Sequence, residues 1–385
     1  MKSVIVFIPT AYYLSDPIYT KVPRNKDFLY VYFDTSEASV AKVNTSHKVL
    51  IEDSFDFHIK LPPDMYSGTN TLLLLVSMHV KAWQIKRLLY RLNPKVIVSV
   101  TDGSLTAKVI SRYFPETTFL LLQTALLNVL DKKFLRKRRK SYEVIYPFFE
   151  RLLYPYFSST FIFGLNHPKT KLLLWGETTK QVYKDSKQDQ DVFLVGTPLL
   201  AGLENSNRGR KSILVLVPDP DSMDEQMIYF DEMVDLVRSL PEYDFILRTH
   251  PLRISPYLSQ RCRDENISNA IIDDMKTSII DRIVASDLVI SSYSTATFDA
   301  LSLKRPVFLY RKHVSPVLAY WFQSSTLPAF TDIQNLIESL RIFNWGGAAR
   351  VVAENDAFLK ETCAFTGQES LGKIAEVINK HAFMS

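Results

Sequence analysis

Short apolar runs alternate with amphipathic stretches along most of the chain. In the first half, the apolar runs predict β-strands at residues 3–8, 28–33, 48–51, 71–76, 96–100 and 118–123. Between them, apolar positions at helical spacing predict helices at residues 80–92 and 104–113. Continuous apolar strands that alternate with helices are typical of a parallel sheet covered on both faces. The pattern therefore predicts an α/β fold.

The second half has the same pattern. It predicts strands at residues 212–217, 244–248, 270–272, 288–291 and 307–310, and helices at 224–240, 275–285, 295–303, 332–342 and 370–381. A polar, turn-rich stretch at 204–211 separates the halves. Since one core rarely grows beyond about 250–300 residues, we predict two doubly wound, Rossmann-like domains that face each other across a cleft. Their bounds are 1–204 and 205–385, and the last helix is a candidate to return to the first domain.

Composition narrows the class of protein. Hydrophobic residues make up 46% and charged residues 23%, as in an ordinary globular protein. The two cysteines, Cys262 and Cys363, have no CxxC spacing, which excludes a zinc-finger or disulfide framework and fits a reducing compartment. The apolar run that follows Met1 is too short for a signal peptide, and no run reaches the ~20 residues that span a bilayer. We therefore expect a cytoplasmic protein without a transmembrane helix.

One strongly basic segment stands out from the modest net charge of +5. Residues 132–140, from Lys132 to Lys140, hold seven cations in nine positions, and aromatic residues follow closely. The segment could be an ordinary solvated surface or could contact an anionic membrane surface, and the two interpretations are equally favoured. The membrane interpretation rests on cations beside exposed aromatic residues, which are typical of interfacial segments. Nucleic acid is the least favoured partner. A peripheral contact with the inner face of the cytoplasmic membrane is therefore one of two open interpretations of this segment, beside a solvated surface.

Two polar segments of the second half lie at strand ends. Arg248, Thr249, His250 and Pro251 come at the end of the strand predicted at 244–248, and the hydroxyl-rich run Ser291, Ser292, Tyr293, Ser294 and Thr295 leads from the strand predicted at 288–291 into a helix. Ligands of open α/β sheets bind at the carboxyl ends of strands, where helix N-termini offer free N–H groups. These segments predict a phosphate site, with donor-binding residues Arg248, Pro251, Ser291, Ser292, Ser294 and Thr295.

A carboxylate follows a strand of the first half, in Thr101-Asp102-Gly103. Gly103 permits a tight turn and close ligand approach. Asp102 is therefore a candidate general base for an attacking hydroxyl, although it could also cap the next helix. With only 11 glycines, the chain has neither a GxGxxG nor a GxxxxGK[ST] fingerprint, which argues against a dehydrogenase or a P-loop NTPase. We expect no cofactor and no required metal.

The order of these motifs resembles bacterial sialyltransferases of the GT-B glycosyltransferase architecture. Those enzymes carry an acidic-acidic-Gly motif, then His-Pro, then a Ser/Thr-rich motif. The resemblance implies that Asp102 is the catalytic base, that His250 contacts the CMP phosphate and assists its departure, and that the hydroxyl run binds phosphate. Thr101 departs from the pattern, since the family has an acid there. The chain also resembles Kdo transferases, which likewise use CMP-activated donors.

The second half also resembles teichoic-acid glycerophosphotransferases, which use CDP-glycerol. The similarity lies in Arg248-Thr249-His250-Pro251, in residues 286–294, and in Arg305-Pro306-Val307 after the following helix. Those enzymes use a histidine of the first domain as the base. Here His58, His79 and His167 are the candidates for that role.

These resemblances imply an inverting, metal-independent glycosyltransferase. Its donor would be a CMP-activated acidic sugar, a nonulosonic acid such as sialic acid or Kdo, bound by the second domain. Its acceptor would be a glycan or glycolipid of a bacterial surface polysaccharide or lipooligosaccharide, bound by the first domain. Asp102 and His250 would be the catalytic residues. The alternatives are a CDP-glycerol or polyol-phosphate transferase, and a non-catalytic nucleotide-sugar-binding protein.

Overall fold

The computed structural model describes residues 2–9, 18–34, 53–61, 71–100, 105–124, 170–183, 191–198, 211–217, 223–249, 256–273, 276–292, 294–310, 325 and 327–384. The chain divides into two compact units. Unit 1 comprises Met1–Pro198 and Gln368–Ser385, and unit 2 comprises Leu199–Gly367. Within the described residues, no helix is both long enough and apolar enough to cross a membrane.

Unit 1 is built on a parallel sheet. The described strands are β1 (Ser3–Ile8), β2 (Phe28–Asp34), β3 (Phe57–Lys60), β4 (Val96–Ser99), β5 (Thr118–Leu122), β6 (Thr170–Leu174) and β7 (Val192–Leu194). They lie in the order β3-β2-β1-β4-β5-β6-β7, and each adjacent pair is parallel. The helices are α1 (Thr71–Leu92), α2 (Leu105–Tyr113) and α3 (Glu177–Tyr183). The α/β prediction is confirmed for this unit.

Unit 2 repeats the design. Its described strands are β8 (Ser212–Leu216), β9 (Asp244–Arg248), β10 (Ala270–Ile272), β11 (Leu288–Ser291), β12 (Val307–Tyr310) and β13 (Ala329–Phe330), in the order β10-β9-β8-β11-β12-β13. All adjacent pairs are parallel. The helices are α4 (Met223–Ser239), α5 (Pro256–Asp264), α6 (Ile279–Val284), α7 (Thr295–Ser302), α8 (Ile333–Arg341) and α9 (Ala348–Thr362). The strands expected from apolar runs are present in this unit.

The last helix, α10 (Gly367–Met384), completes the core of unit 1. Along β1, Ile5 and Phe7 lie in one core cluster, and the α10 residues Leu371 and Ile374 belong to that same cluster. Val6 and Ile8 belong to a second cluster, to which α1 contributes Ile85 and Leu89. Because successive residues of a strand point to opposite faces, α10 and α1 cover opposite faces of the sheet.

The prediction of a strand at residues 71–76 is wrong. The helix α1 begins at Thr71 and runs to Leu92 without interruption. A short apolar run fits a buried strand and a buried helical segment equally well. Here four consecutive leucines, which are good helix formers, continue directly into residues that have helical spacing. The strand predicted at 48–51 lies outside the described residues.

Candidate functional site

The carboxyl edge of the unit 2 sheet brings together the ends of β9 and β11. These two strands lie on either side of β8. The register pairs Ser291 with Leu216 and Leu216 with Arg248, so that the three residues form one row across the sheet. With adjacent strands ~4.8 Å apart, Arg248 and Ser291 lie about 10 Å from each other along this row. Both segments that the sequence predicts for phosphate binding therefore begin at the same level of one sheet edge.

Arg248, the last residue of β9, forms a buried ion pair. Its Nη1 donates to Asp273 Oδ2 at 2.5 Å and to the carbonyl oxygen of Thr277 at 2.9 Å. The Asp273 side chain has no solvent exposure. On its other oxygen, Oδ1, it accepts from Arg282 Nη2 at 2.9 Å and Nε at 3.2 Å. We call these three side chains the arginine clamp.

The arginine clamp carries a net positive charge, because two guanidinium groups share one carboxylate. The Arg248 side chain retains 11% exposure and that of Arg282 retains 22%. Charges held in a poorly hydrated setting are screened less than charges on an open surface. The clamp therefore places a fixed excess of positive charge beside the strand end where a phosphate is expected. The sequence analysis identified Arg248 but missed Asp273 and Arg282.

The hydroxyl of Ser291 is engaged within the protein. Ser291 is buried, and its Oγ donates to the carbonyl oxygen of Ser292 at 3.0 Å. It also lies 2.7 Å from Thr297 Oγ1. Since a serine hydroxyl has one hydrogen, the Thr297 hydroxyl is the donor of this second bond. The Ser291 hydroxyl thus stabilises the connection between β11 and α7. Its contact with the donor stays a prediction.

Ser294 has a different role as the N-cap of α7. Its Oγ accepts a hydrogen bond from Ala296 N at 3.2 Å, which uses a lone pair and leaves the hydroxyl hydrogen for another acceptor. Ser294 and Thr295 are half-buried, and Ser292 is buried. At this position a ligand oxygen would meet both the Ser294 hydroxyl and the positive end of the helix dipole.

A buried carboxylate on α7 escaped the sequence analysis. Asp299 is 7% exposed, and its Oδ1 has no hydrogen-bond partner among the described residues. Burial raises the pKa of Asp299 to about 7. The sequence signal was an acidic residue directly after Phe298, in a helix with no other charged residue.

The predicted catalytic residues Asp102 and His250, together with the donor-binding residue Pro251, lie outside the described residues. So does His167, one of the histidines considered as an alternative base. Among the other candidates, His58 is exposed on β3 with its ring 5.1 Å from that of Tyr32, and His79 is exposed on α1. The roles of Asp102 and His250 stay predictions.

Comparison with solved structures identifies the fold class. A glycotransferase of kitacinnamycin aligns over 99% of both chains, with a TM-score of 0.62 and 12% identity. UDP-GlcNAc 2-epimerase from Neisseria meningitidis aligns over 100% of both chains, with a TM-score of 0.60 and 12% identity. These similarities confirm the predicted GT-B fold class. Because an epimerase and a transferase share the fold, the fold alone does not define the reaction.

A narrower match covers the site itself. Residues 222–320 match the model of the family described as CDP-glycerol:poly(glycerophosphate) glycerophosphotransferase. The wall teichoic acid polymerase TagF, in a structure with CDPG, aligns over 99% of this chain and 89% of its own, with a TM-score of 0.50 and 15% identity. No curated protein sequence matches the chain. The resemblance to sialyltransferases and Kdo transferases finds no support in these comparisons.

Proposed function

We propose that this protein transfers glycerol phosphate, or a related polyol phosphate, from a CDP-activated donor to a hydroxyl of a glycan or glycerol-phosphate acceptor. One observation carries the proposal. The family match covers residues 222–320, which include Arg248, Asp273, Arg282 and the whole of α7. The match therefore coincides with the sheet edge where charge and hydroxyl groups converge.

The geometry of that edge supports binding of a diphosphate. The arginine clamp supplies positive charge on the β9 side, and the Ser294 hydroxyl with the α7 N-terminus supplies donors on the β11 side. The two strand ends, at Arg248 and Ser291, lie about 10 Å apart, so a nucleotide diphosphate placed between them would face groups from both sides. Arginine suits this role because its planar guanidinium pairs well with phosphate oxygens.

The chemistry requires little from the protein beyond positioning and charge stabilisation. The acceptor hydroxyl oxygen forms a new bond to the β-phosphorus of the donor. The bond between that phosphorus and the bridging oxygen breaks, and CMP leaves with the bridging electrons. The acceptor proton passes to a general base. Asp102 stays the predicted residue, and by resemblance to the glycerophosphotransferases His58, His79 and His167 stay the alternative candidates. Positive charge at the clamp would stabilise the negative charge that develops on departing CMP.

A donor screen tests the proposal. Purified protein is incubated with CDP-glycerol, CMP-sialic acid or CMP-Kdo and a synthetic glycerol-phosphate oligomer or glycan acceptor, and released CMP is measured. We expect turnover with CDP-glycerol alone. Turnover with CMP-sialic acid or CMP-Kdo, and not with CDP-glycerol, would restore the CMP-sugar hypothesis. CMP binding without turnover of any donor would favour the non-catalytic alternative.

The basic segment 132–140 lies outside the described residues. We retain the proposal that it contacts an anionic membrane surface, where a lipid-linked acceptor would be found. If neutralising its cations leaves binding to anionic vesicles unchanged, the segment has no such role.

A further inference from the structure

One face of α1 presents apolar and aromatic side chains to solvent. Val76, Trp83 and Tyr90 are 54%, 57% and 57% exposed, and they are spaced seven residues apart. His79 and Arg87 are also exposed and lie between them at intervals of three or four residues. Residues with this spacing lie along one side of a helix. The opposite side of α1 is buried in the core of unit 1 through Ala82, Ile85 and Leu89.

Cations lie over the rings on this side of unit 1. The Arg87 guanidinium is 5.3 Å from the centre of the Trp83 ring. Lys86 Nζ, also on α1, lies 4.0 Å from the ring centre of Tyr113, the last residue of α2, and 5.7 Å from that of Tyr90. The Arg112 guanidinium is 5.5 Å from the Tyr113 ring. Aromatic rings and cations thus alternate across α1 and the end of α2.

The two helices have a one-sided charge. They carry six cations, Lys81, Lys86, Arg87, Arg91, Lys108 and Arg112, and no aspartate or glutamate. The whole chain is nearly balanced, with 46 lysines and arginines against 41 aspartates and glutamates. Lys81 is buried, whereas Arg87, Arg91 and Arg112 are exposed. The excess of cations on these two helices is therefore a local feature and not a consequence of overall composition.

We propose that Val76, Trp83, Arg87, Tyr90, Arg91 and Arg112, which we call the basic–aromatic face, bind the anionic headgroup region of a lipid membrane. Tryptophan and tyrosine favour the boundary between water and hydrocarbon, because one end of each ring is apolar and the other is polar. Lysine and arginine near an anionic surface add electrostatic attraction. A soluble polyanion would match the cations, but it would offer nothing apolar to Val76 and Trp83.

The experiment is sedimentation of the full-length protein with vesicles of phosphatidylcholine alone, or of equal parts phosphatidylcholine and phosphatidylglycerol. We expect binding to the anionic vesicles only.

The variants Trp83→Ala/Tyr90→Ala and Arg87→Glu/Arg91→Glu change exposed side chains, and each pair should reduce partitioning into anionic vesicles about tenfold or more. Matched controls in unit 2 are Ile342→Ala, 84% exposed, and Arg350→Glu, 87% exposed. Both should bind like the wild type, and thermal unfolding checks that all variants are folded.

A second readout separates lipid insertion from attraction to any polyanion. Vesicles with brominated acyl chains should quench the fluorescence of the wild type more than that of Trp83→Phe, because only the wild type places an indole at this position. If both proteins are quenched equally, or if the two variant pairs bind like the wild type, the proposal is overturned. Binding that is lost only in Arg87→Glu/Arg91→Glu, and that soluble polyphosphate abolishes, would also overturn it in favour of a polyanion site. These measurements use no donor, so they stand or fall independently of the donor screen.

Discussion

Arg248 and Arg282 reach the same carboxylate from different elements, β9 and α6, and each occupies a different oxygen of Asp273. The carboxylate thereby links the end of β9 to α6, although β10 lies between these two elements in the sequence. This contact fixes the position of Arg248 at the sheet edge, where the proposed donor phosphate would bind. A site that must hold a diphosphate gains from such prior positioning, because less side-chain entropy is lost when the ligand binds.

The arginine clamp should make a large contribution to stability. In Asp273→Asn, two poorly hydrated guanidinium groups lose their counter-charge, and we expect the free energy of unfolding in urea to fall by about 3–5 kcal/mol. The matched control is Glu354→Gln, which removes the carboxylate of the exposed pair with Arg350. It should cost less than about 1 kcal/mol. An equally small loss for Asp273→Asn would show that the clamp is weak.

Ser294→Asp should separate helix capping from ligand binding. Aspartate caps a helix as well as serine does, so stability should stay within about 0.5 kcal/mol of the wild type. The added negative charge should nevertheless raise the Kd for CDP-glycerol, measured by titration calorimetry, by about tenfold or more. Asp332→Ser makes the reverse exchange at the N-cap of α8 and should leave the Kd unchanged. An unaltered Kd in Ser294→Asp would exclude Ser294 from the donor site.

The hydroxyl pair Ser291–Thr297 should behave as a coupled unit. Ser291→Ala leaves the buried Thr297 hydroxyl without its acceptor, at a cost of about 1–3 kcal/mol. Adding Thr297→Val removes that stranded group, so the double variant should lose less than the sum of the single losses, by about 1 kcal/mol. Thr362→Val, whose hydroxyl bonds to Phe358 O instead, should be additive with Ser291→Ala. Strict additivity of the first pair would contradict the bond.

Asp299 should make stability depend on pH in an unusual direction. Burial raises its pKa from 3.8 to about 7, so the folded state favours the protonated form. Stability is therefore full below about pH 4 and falls as the pH rises towards 7, where the loss levels off. A shift of about three units corresponds to about 4 kcal/mol as an upper value.

The variant Asp299→Asn cannot ionise and should escape this loss. Its unfolding free energy relative to the wild type should increase between pH 4.5 and about 7 and stay constant at higher pH, as measured by urea unfolding across that range. The exposed acid Glu338 supplies the control, since Glu338→Gln should show no such trend. A difference between Asp299→Asn and the wild type that is independent of pH would mean that Asp299 is ionised in the folded protein.

The sequence predicts β4 and β11, which are buried on both faces, because these strands consist almost entirely of apolar residues. It does not predict β3, whose residues are largely exposed, nor β6, although that strand is largely buried. Arg248 and Ser294 are predictable because Arg248 ends a recognisable strand and Ser294 closely follows another. Asp273 is not, because its contact with Arg248 depends on the register that pairs Ile272 with Leu247. Long-range register of this kind leaves no local trace in the sequence.

The return of α10 to unit 1 has a consequence for the order of folding during synthesis. Leu371, Ile374 and Ile378 occupy the same core cluster as Ile5 and Phe7, more than 360 residues earlier in the chain. On a ribosome, the whole of unit 2 emerges before these residues do. Unit 2 can therefore fold while unit 1 still lacks the helix that covers one face of its sheet, and that apolar face stays exposed until α10 docks.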